Sequence, residues 1–410
     1  MATNDVVFHP SEITQESVEA ALKNDKGSDA RLVSFTVQEC TKKGDNYATF
    51  VARVNVKFSS GKVFNTTSYI VKYNPNRFKL LENFTYISFQ KEQVFYQQLV
   101  HLIQSQLQEI DQIPLKVPKC FYTSQEENRE VIFLEDLQPR GFRMFDRKKG
   151  MDVGHTKLVL EELARLHAAS YVLKSRIPDL AEKCPILKLD YFNYGDNAAQ
   201  TIQGVYAKHV DMVQGMLNTI GGYEVAENWL ARNKTRGLEI MENQLQRVSP
   251  FDVLCHGDCW INNVLFRYED NVPVEVMLLD FQLCRQASLA TDLSFLLHTS
   301  LEGHVRKTNL ETFLDIYFST FFGVTEAGKT AMPFSRQELR QEYRNRLEYG
   351  LLMSLFVNIL ILCGGEINGD DPEGYSDSMK DMLNEVSKSS LLHSRFLSVF
   401  DEMIENKVIV

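Results

Sequence analysis

The hydrophobic pattern changes period part-way along the 410-residue chain, and that change restricts the fold more than any other feature. Over residues 34–40 and 48–58 apolar and polar residues alternate, with Ala48, Phe50, Ala52, Val54, Val56 and Phe58 on one face. A period of two belongs to a half-buried strand, because successive side chains leave a pleated backbone on opposite sides. Ser59-Ser60-Gly61 reads as a turn, and residues 63–73 return as the partner strand. Residues 117–123 and 130–134 complete an expected five-stranded antiparallel sheet. From Gly154 on the spacing turns helical, as Val159, Leu163, Leu166, Ser170 and Leu173 step by four and three. Further helices are expected over residues 198–220, 224–248, 290–299, 308–322, 336–363 and 376–405. The expected fold is α+β and bilobal. A small antiparallel β-sheet N-lobe takes residues 1–137, and a larger, mostly helical C-lobe takes residues 138–410.

Composition limits the partners. Hydrophobic residues are 44% of the chain, enough for a packed core and too many for global disorder. A formal net charge of -10 disfavours broad binding to nucleic acid or to anionic membranes, whose phosphates repel an acidic surface. The first residues lack the basic and apolar regions of a secretory leader. Residues 351–363, the most apolar later stretch, are too few to cross a bilayer and include Ser354 and Asn358. Seven scattered cysteines, without a second pair at metal-ligand spacing, read as reduced thiols of a cytoplasmic protein. Nothing in the sequence speaks to oligomeric state.

Lys72 is the one charge inside the third expected strand, on the side opposite Tyr69, Val71 and Tyr73. A mid-strand lysine ordinarily marks an edge facing water. The next expected helix, residues 88–107, carries Glu92 near its start, and a carboxylate there can aim a lysine amine at nucleotide phosphates. Glu82 and Glu109 compete for the same role. Upstream, Lys42-Lys43-Gly44-Asp45-Asn46-Tyr47 joins two strands, and backbone amides of such a turn can lie against phosphates. With one glycine it reads equally as an ordinary hairpin turn. Glu135-Asp136-Leu137-Gln138-Pro139 is an extended connector, either a plain linker or a hinge whose backbone pairs with an adenine edge.

The chemistry concentrates in residues 254–282, LCHGDCWINNVLFRYEDNVPVEVMLLDFQ. Two short strands joined by a polar turn put Asp258 and Asn263 in the loop before the first and Asp280 at the end of the second. Phosphoryl transfer asks for a carboxylate near the attacking hydroxyl, oxygen ligands for Mg²⁺, and cations on the phosphates. Single aspartates at strand ends more often cap turns. The joint pattern, with a lysine-bearing sheet upstream, is what points to a phosphotransferase. His167, beside an apolar helical stripe, reads as a hydrogen-bonded core residue.

In His256-Gly257-Asp258-Cys259-Trp260 with Asn263, Asp280-Phe281-Gln282, Lys72, Glu92, Gly44-Asp45-Asn46-Tyr47 and Glu135-Asp136-Leu137, the chain resembles the ecdysteroid kinase-like family of insects. That family lies within the choline kinase and aminoglycoside phosphotransferase superfamily. The resemblance runs from about residue 30 to 400. It implies a protein-kinase-like fold and ATP-dependent phosphorylation of a small-molecule hydroxyl, that of an ecdysteroid or another steroid or xenobiotic alcohol. By that resemblance Asp258 would be the catalytic base, and Asn263 and Asp280 would hold Mg²⁺. Lys72, steadied by Glu92, would contact the ATP phosphates, and backbone groups of Gly44 to Tyr47 would cover them. Backbone groups of Glu135 and Leu137 would meet adenine. His256 would brace its loop, as would Asp292, whose other reading is an acid at a helix start. A choline- or aminoglycoside-type kinase is the alternative within the same chemistry. A catalytically silent kinase-like binding protein is the alternative outside it, disfavoured because every motif position is occupied. The acceptor is expected against residues 178–250 and 300–370, where Tyr191, Phe192, Tyr194, Trp229 and Tyr349 are either pocket or core.

Overall fold

A computed structural model describes residues 12–40, 50–73, 82–126, 130–189, 198–362, 389 and 391–410. Helix α1 (Gln15–Lys26) begins at Thr14, whose hydroxyl accepts the Ser17 amide at 3.2 Å and so satisfies one orphan donor of the first turn. Five antiparallel strands follow: β1 (Ala30–Glu39), β2 (Phe50–Ser60), β3 (Val63–Tyr73), β4 (Cys120–Ser124) and β5 (Val131–Glu135), in the order β1-β2-β3-β5-β4. The alternation read from sequence decides which face is covered. Ala52, Val54, Val56 and Phe58 pack with Tyr69, Val71, Tyr73, Val131 and Phe133, and Val18, Ala21 and Leu22 of α1 close that core. Lys72 therefore points to the other face of the sheet, where Ile132 and Leu134 join the main core of the molecule.

Against that second face lie α2 (Glu82–Val94) and α3 (Val100–Glu109), joined by a π-helical turn over Phe95–Leu99. The expected single helix over residues 88–107 is thus longer and carries a wide turn. That turn places Phe95 and Leu99 in the core.

The remaining elements are predominantly helical. They run β6 (Phe142–Arg143), α4 (Val153–Leu173), α5 (Leu180–Lys183), α6 (Ala198–Ile220), α7 (Glu224–Asn233), α8 (Gly237–Gln244), β7 (Asp252–Cys255), β8 (Val264–Glu269), β9 (Val272–Leu278), β10 (Arg285–Ser288), α9 (Leu289–Ser300), α10 (Gly303–Ala327), α11 (Arg336–Asn345), α12 (Leu347–Leu362) and α13 (Ser398–Glu405). Two helices expected as continuous are each broken. The helix over residues 224–248 is α7, closed at Lys234, and α8, which starts after Arg236 with Gly237 on the Tyr206 ring, where an added Cβ would come within 2.3 Å. The helix over residues 336–363 is α11 and α12. Arg346 ends α11 and spends its guanidinium on Glu342 at 2.8 Å and on the Gln244 carbonyl at 2.8 Å. Of the helix expected over residues 376–405, α13 and the short turn before it are described.

The β8–β9 hairpin turns at Asp270 and Asn271, with φ of 48° and 64°. Residues of this type tolerate the left-handed backbone that a two-residue turn needs, so the hairpin is tighter than the expected turn over residues 268–273. Among the described residues no helix is long and apolar enough to cross a membrane. The α+β architecture, an N-terminal antiparallel sheet followed by a mostly helical part, is the expected one.

Candidate active site

The side chains singled out in sequence meet where the sheet faces the β8–β9 hairpin. Lys72, on β3, is 6% exposed, and its ammonium donates to the Glu92 carboxylate of α2 and to Asp280 Oδ1 at 2.8 Å. Glu92 is the partner rather than Glu109, which pairs instead with Arg176. Burial opposes the charge on Lys72, but the carboxylates of Asp280 and Glu92 outweigh it and hold the pKa above the usual lysine value. Burial also pushes the Glu92 carboxyl up, against the pull of Lys72 and with the help of the Asp280 charge. Among the described residues, Lys72 thus serves two acids.

Asp280 has φ of 66°, in the left-handed region that few side chains adopt. That conformation ends β9 and separates Asp280, at Lys72, from Phe281, which turns into the core. The Phe281 ring stacks on Phe95 at 3.6 Å and 4°, so the wide turn in the α2–α3 rod holds the hairpin end.

Asp258 and Asn263 form the opposite wall. Asn263 Nδ2 donates to the Asp258 carbonyl at 2.8 Å and to Asp258 Oδ2 at 3.0 Å, and Gln282 Nε2 reaches the same Oδ2 at 3.4 Å. Burial and the Asp280 charge push the partly buried Asp258 carboxyl up to about 7, against the hydrogen bonds from Gln282 and Asn263. Asn263 Oδ1, Asp280 Oδ2 and Asp258 Oδ1 are left without a protein partner among the described residues.

The loop that carries Asp258 is held by the wholly buried helix α9. Asp292, in its first turn, accepts the His256 amide at 2.6 Å and the Gly257 amide at 2.9 Å. His167 Nε2 meets the same carboxylate at 3.0 Å, and its Nδ1 meets the Tyr317 hydroxyl at 2.7 Å. Burial acts to raise the Asp292 pKa, but the hydrogen bond and field of His167, with His256 and the Gly257 amide, hold it below the usual carboxylate range. The stability this contributes is present above the ordinary carboxylate pKa and is lost as pH falls through the lowered value. His256 is itself buried, and burial lowers its pKa. Its Nδ1 accepts the Asp258 amide at 3.3 Å.

Gly257 has φ of 83°, and an added Cβ would lie 2.0 Å from the Leu283 carbonyl oxygen. Gly257→Ala is expected to cost about 1–3 kcal/mol for the left-handed backbone and about 1–3 kcal/mol more for the overlap. A urea unfolding midpoint that stays at the wild-type value would refute this.

The connector is anchored by a side chain that sequence reasoning left without a role. Asp136 accepts Arg53 Nε at 2.8 Å, the Ser68 hydroxyl at 2.7 Å and the Gln138 amide at 3.1 Å. Alternation offered the signal, since Arg53 shares the Lys72 face of the sheet. The Glu135 amide donates to the Lys119 carbonyl at 2.8 Å, and the Leu137 carbonyl accepts the Arg140 amide at 3.1 Å. Gly44, Asp45, Asn46 and Tyr47 lie outside the described residues, as do Tyr191, Phe192 and Tyr194. Trp229 and Tyr349 are buried in the main core.

Residues 43–327 match the ecdysteroid kinase-like family. The chain belongs to that family. An uncharacterized kinase-like protein of Caenorhabditis elegans is 22% identical over 242 residues, so the chain spans 58% of its own length and 59% of that relative. Among solved structures, an ethanolamine kinase of Plasmodium vivax shares 11% identity over 90% of this chain and 84% of its own, with a TM-score of 0.42. A choline kinase of Cryptosporidium parvum shares 11% over 91% of each chain, with a TM-score of 0.41. A putative aminoglycoside phosphotransferase of Ralstonia eutropha shares 11% over 97% and 99%, with a TM-score of 0.42. The architecture of this ecdysteroid kinase-like chain itself, not these distant likenesses, carries the fold.

Proposed function

We propose that the chain is an ATP-dependent phosphotransferase acting on a small-molecule hydroxyl, that of an ecdysteroid or another steroid or xenobiotic alcohol. The observation that carries this is Lys72 held between Glu92 and Asp280 while Asp258 and Asn263 are bonded to each other across from it. An ammonium has three donors, and Lys72 spends two on carboxylates, so the third is available to an ATP phosphate oxygen. Glu92 fixes where that donor points.

Asp258 is the proposed base. Its Oδ2 is occupied by Asn263 and Gln282, so Oδ1 takes the acceptor hydroxyl and, as the phosphoryl group departs from ATP, its proton. Because the transition state is loose, orienting the hydroxyl matters more than early proton removal. Asn263 Oδ1 and Asp280 Oδ2 are hard oxygens on facing walls of the site, and they fit Mg²⁺. Bound there, the ion would neutralise charge on the transferring phosphates. For adenine the proposed contacts are the Glu135 carbonyl and the Leu137 amide, since the other two backbone groups of those residues are spent within the protein. Backbone groups of residues 44–47 are proposed to cover the phosphates. The boundary between the lobes is proposed at Leu137, and the compartment as cytoplasmic, which suits the six free thiols among the described residues.

ATP consumption against a panel of steroid, choline, aminoglycoside and phenolic alcohols tests the reading. Turnover confined to steroid or xenobiotic alcohols is the expected result. Turnover of choline or an aminoglycoside alone would replace the acceptor class. Tight MgATP binding with no turnover would replace the enzyme by a binding protein.

A further inference from the structure

The loop with Asp258 and Asn263 is held at both ends of α9. Asp292 takes the amides of His256 and Gly257 at the first turn. About 12 Å further along the helix, the Ser300 hydroxyl accepts the Ile261 amide at 3.0 Å. Ile261 opens the short 3-10 turn Ile261–Asn263, so this bond sets where the Asn263 side chain starts.

The second end needs its own support, because the last carbonyls of a helix have no partner within it. Arg395 supplies it. This arginine sits in the turn His393–Leu397, before α13, and is 1% exposed. Its Nη2 donates to the Thr299 carbonyl at 3.0 Å and its Nη1 to the Ser300 carbonyl at 3.3 Å. The Met151 amide reaches the Ser300 carbonyl at 2.8 Å, and Asn358 Nδ2 ties the Arg395 carbonyl at 2.9 Å to the His298 carbonyl at 3.1 Å. Gly150 makes room, since a Cβ there would lie 1.9 Å from Arg395 Nη1. A cation at a helix C-terminus also opposes the negative end of the helix dipole. Burial pulls the Arg395 pKa down to about 10, against the field of Glu302. A charge held at that cost, on carbonyls that lead to the site, calls for a role beyond filling space.

We infer that Arg395 is a positioning residue for the loop of Asp258 and Asn263, acting through Thr299, Ser300 and the Ile261 amide. The C-terminal segment that carries it lies beyond residues 43–327, where the family match ends, yet it belongs to the active-site support. The inference deepens the phosphotransferase reading and rests on it for the nucleotide readout.

The test uses the full chain with Arg395→Met, Arg395→Lys and Ser300→Ala. Val399→Ala is the control, because it removes core volume from the same segment and no hydrogen bond. Two quantities are measured: amide hydrogen exchange at Ile261, and affinity for MgATP against ATP in EDTA. Ser300→Ala and Arg395→Met are expected to speed Ile261 exchange about 3- to 10-fold, the worth of one hydrogen bond. They are also expected to weaken MgATP by about the same factor while ATP in EDTA is unchanged, with Arg395→Lys intermediate and Val399→Ala like the wild type. Should Arg395→Met fail to fold, Ser300→Ala and Arg395→Lys decide. Wild-type Ile261 exchange in Ser300→Ala, or equal effects in Val399→Ala, overturns the inference. A wild-type chain that binds no MgATP overturns the phosphotransferase reading instead, and Ile261 exchange then still decides whether Arg395 braces the loop.

Discussion

Asp258→Asn is expected to lower phosphoryl transfer by roughly 10²- to 10⁴-fold, the range for loss of a positioned acid or base, while MgATP affinity stays within a few-fold of wild type. The substitution keeps the size of the side chain, its amide oxygen can accept from Asn263 and Gln282 in place of Oδ2, and the Asn263 bond to the backbone carbonyl of residue 258 is untouched. What is lost is an acceptor able to take a proton. Near wild-type turnover in single-turnover assays would remove Asp258 from the role of base. A large loss of MgATP affinity would instead make it a binding residue. The burial that pushes this carboxyl up to about 7 belongs to the protein without nucleotide and metal, so turnover of variant and wild type is best compared with both saturating.

Asp280→Asn separates charge from backbone at the other wall. Asparagine tolerates the left-handed φ of 66° about as well as aspartate, so the melting temperature is expected to stay close to wild type. The negative charge that faces Lys72 at 2.8 Å is removed, and with it the proposed carboxylate ligand. MgATP affinity is expected to fall roughly 10- to 100-fold, as for loss of a charged hydrogen-bonding group. ATP in EDTA should be much less affected. Unchanged MgATP affinity in excess Mg²⁺ would rule Asp280 out as a ligand. Asp280→Ala is the harsher version, since alanine lacks the local hydrogen bonds that ease a left-handed backbone.

The periodic parts of the fold were legible in the chain because burial writes a repeat directly into sequence. Alternation from Ala52 to Phe58 and again through Tyr69, Val71 and Tyr73 put Lys72 on the opposite face of the sheet, the one that α2 and α3 cover. The spacing of Asp258, Asn263 and Asp280 was legible for a similar reason, since one hairpin brings all three to one end. Helix ends were less so. Helix α8 starts with Gly237 on the Tyr206 ring and α11 ends at Arg346, bonded to the Gln244 carbonyl, and no local pattern announces such partners.

The sequence by itself determined the two patterns, the position of the lysine and the order of the acidic and amide groups. Only the tertiary structure decided which carboxylate meets the lysine. Glu92, not Glu109, lies under β3, because the α2–α3 rod packs with Phe95 stacked on Phe281. The same holds for the support of the loop. Asp292, His167, Tyr317, Ser300 and Arg395 come from α9, α4, α10 and the C-terminal segment, and their bonds to the loop and to one another join positions far apart in the chain. Local spacing records which face of an element is buried. It carries no record of which distant polar group will satisfy a buried amide or charge, and in this protein those pairings shape the site.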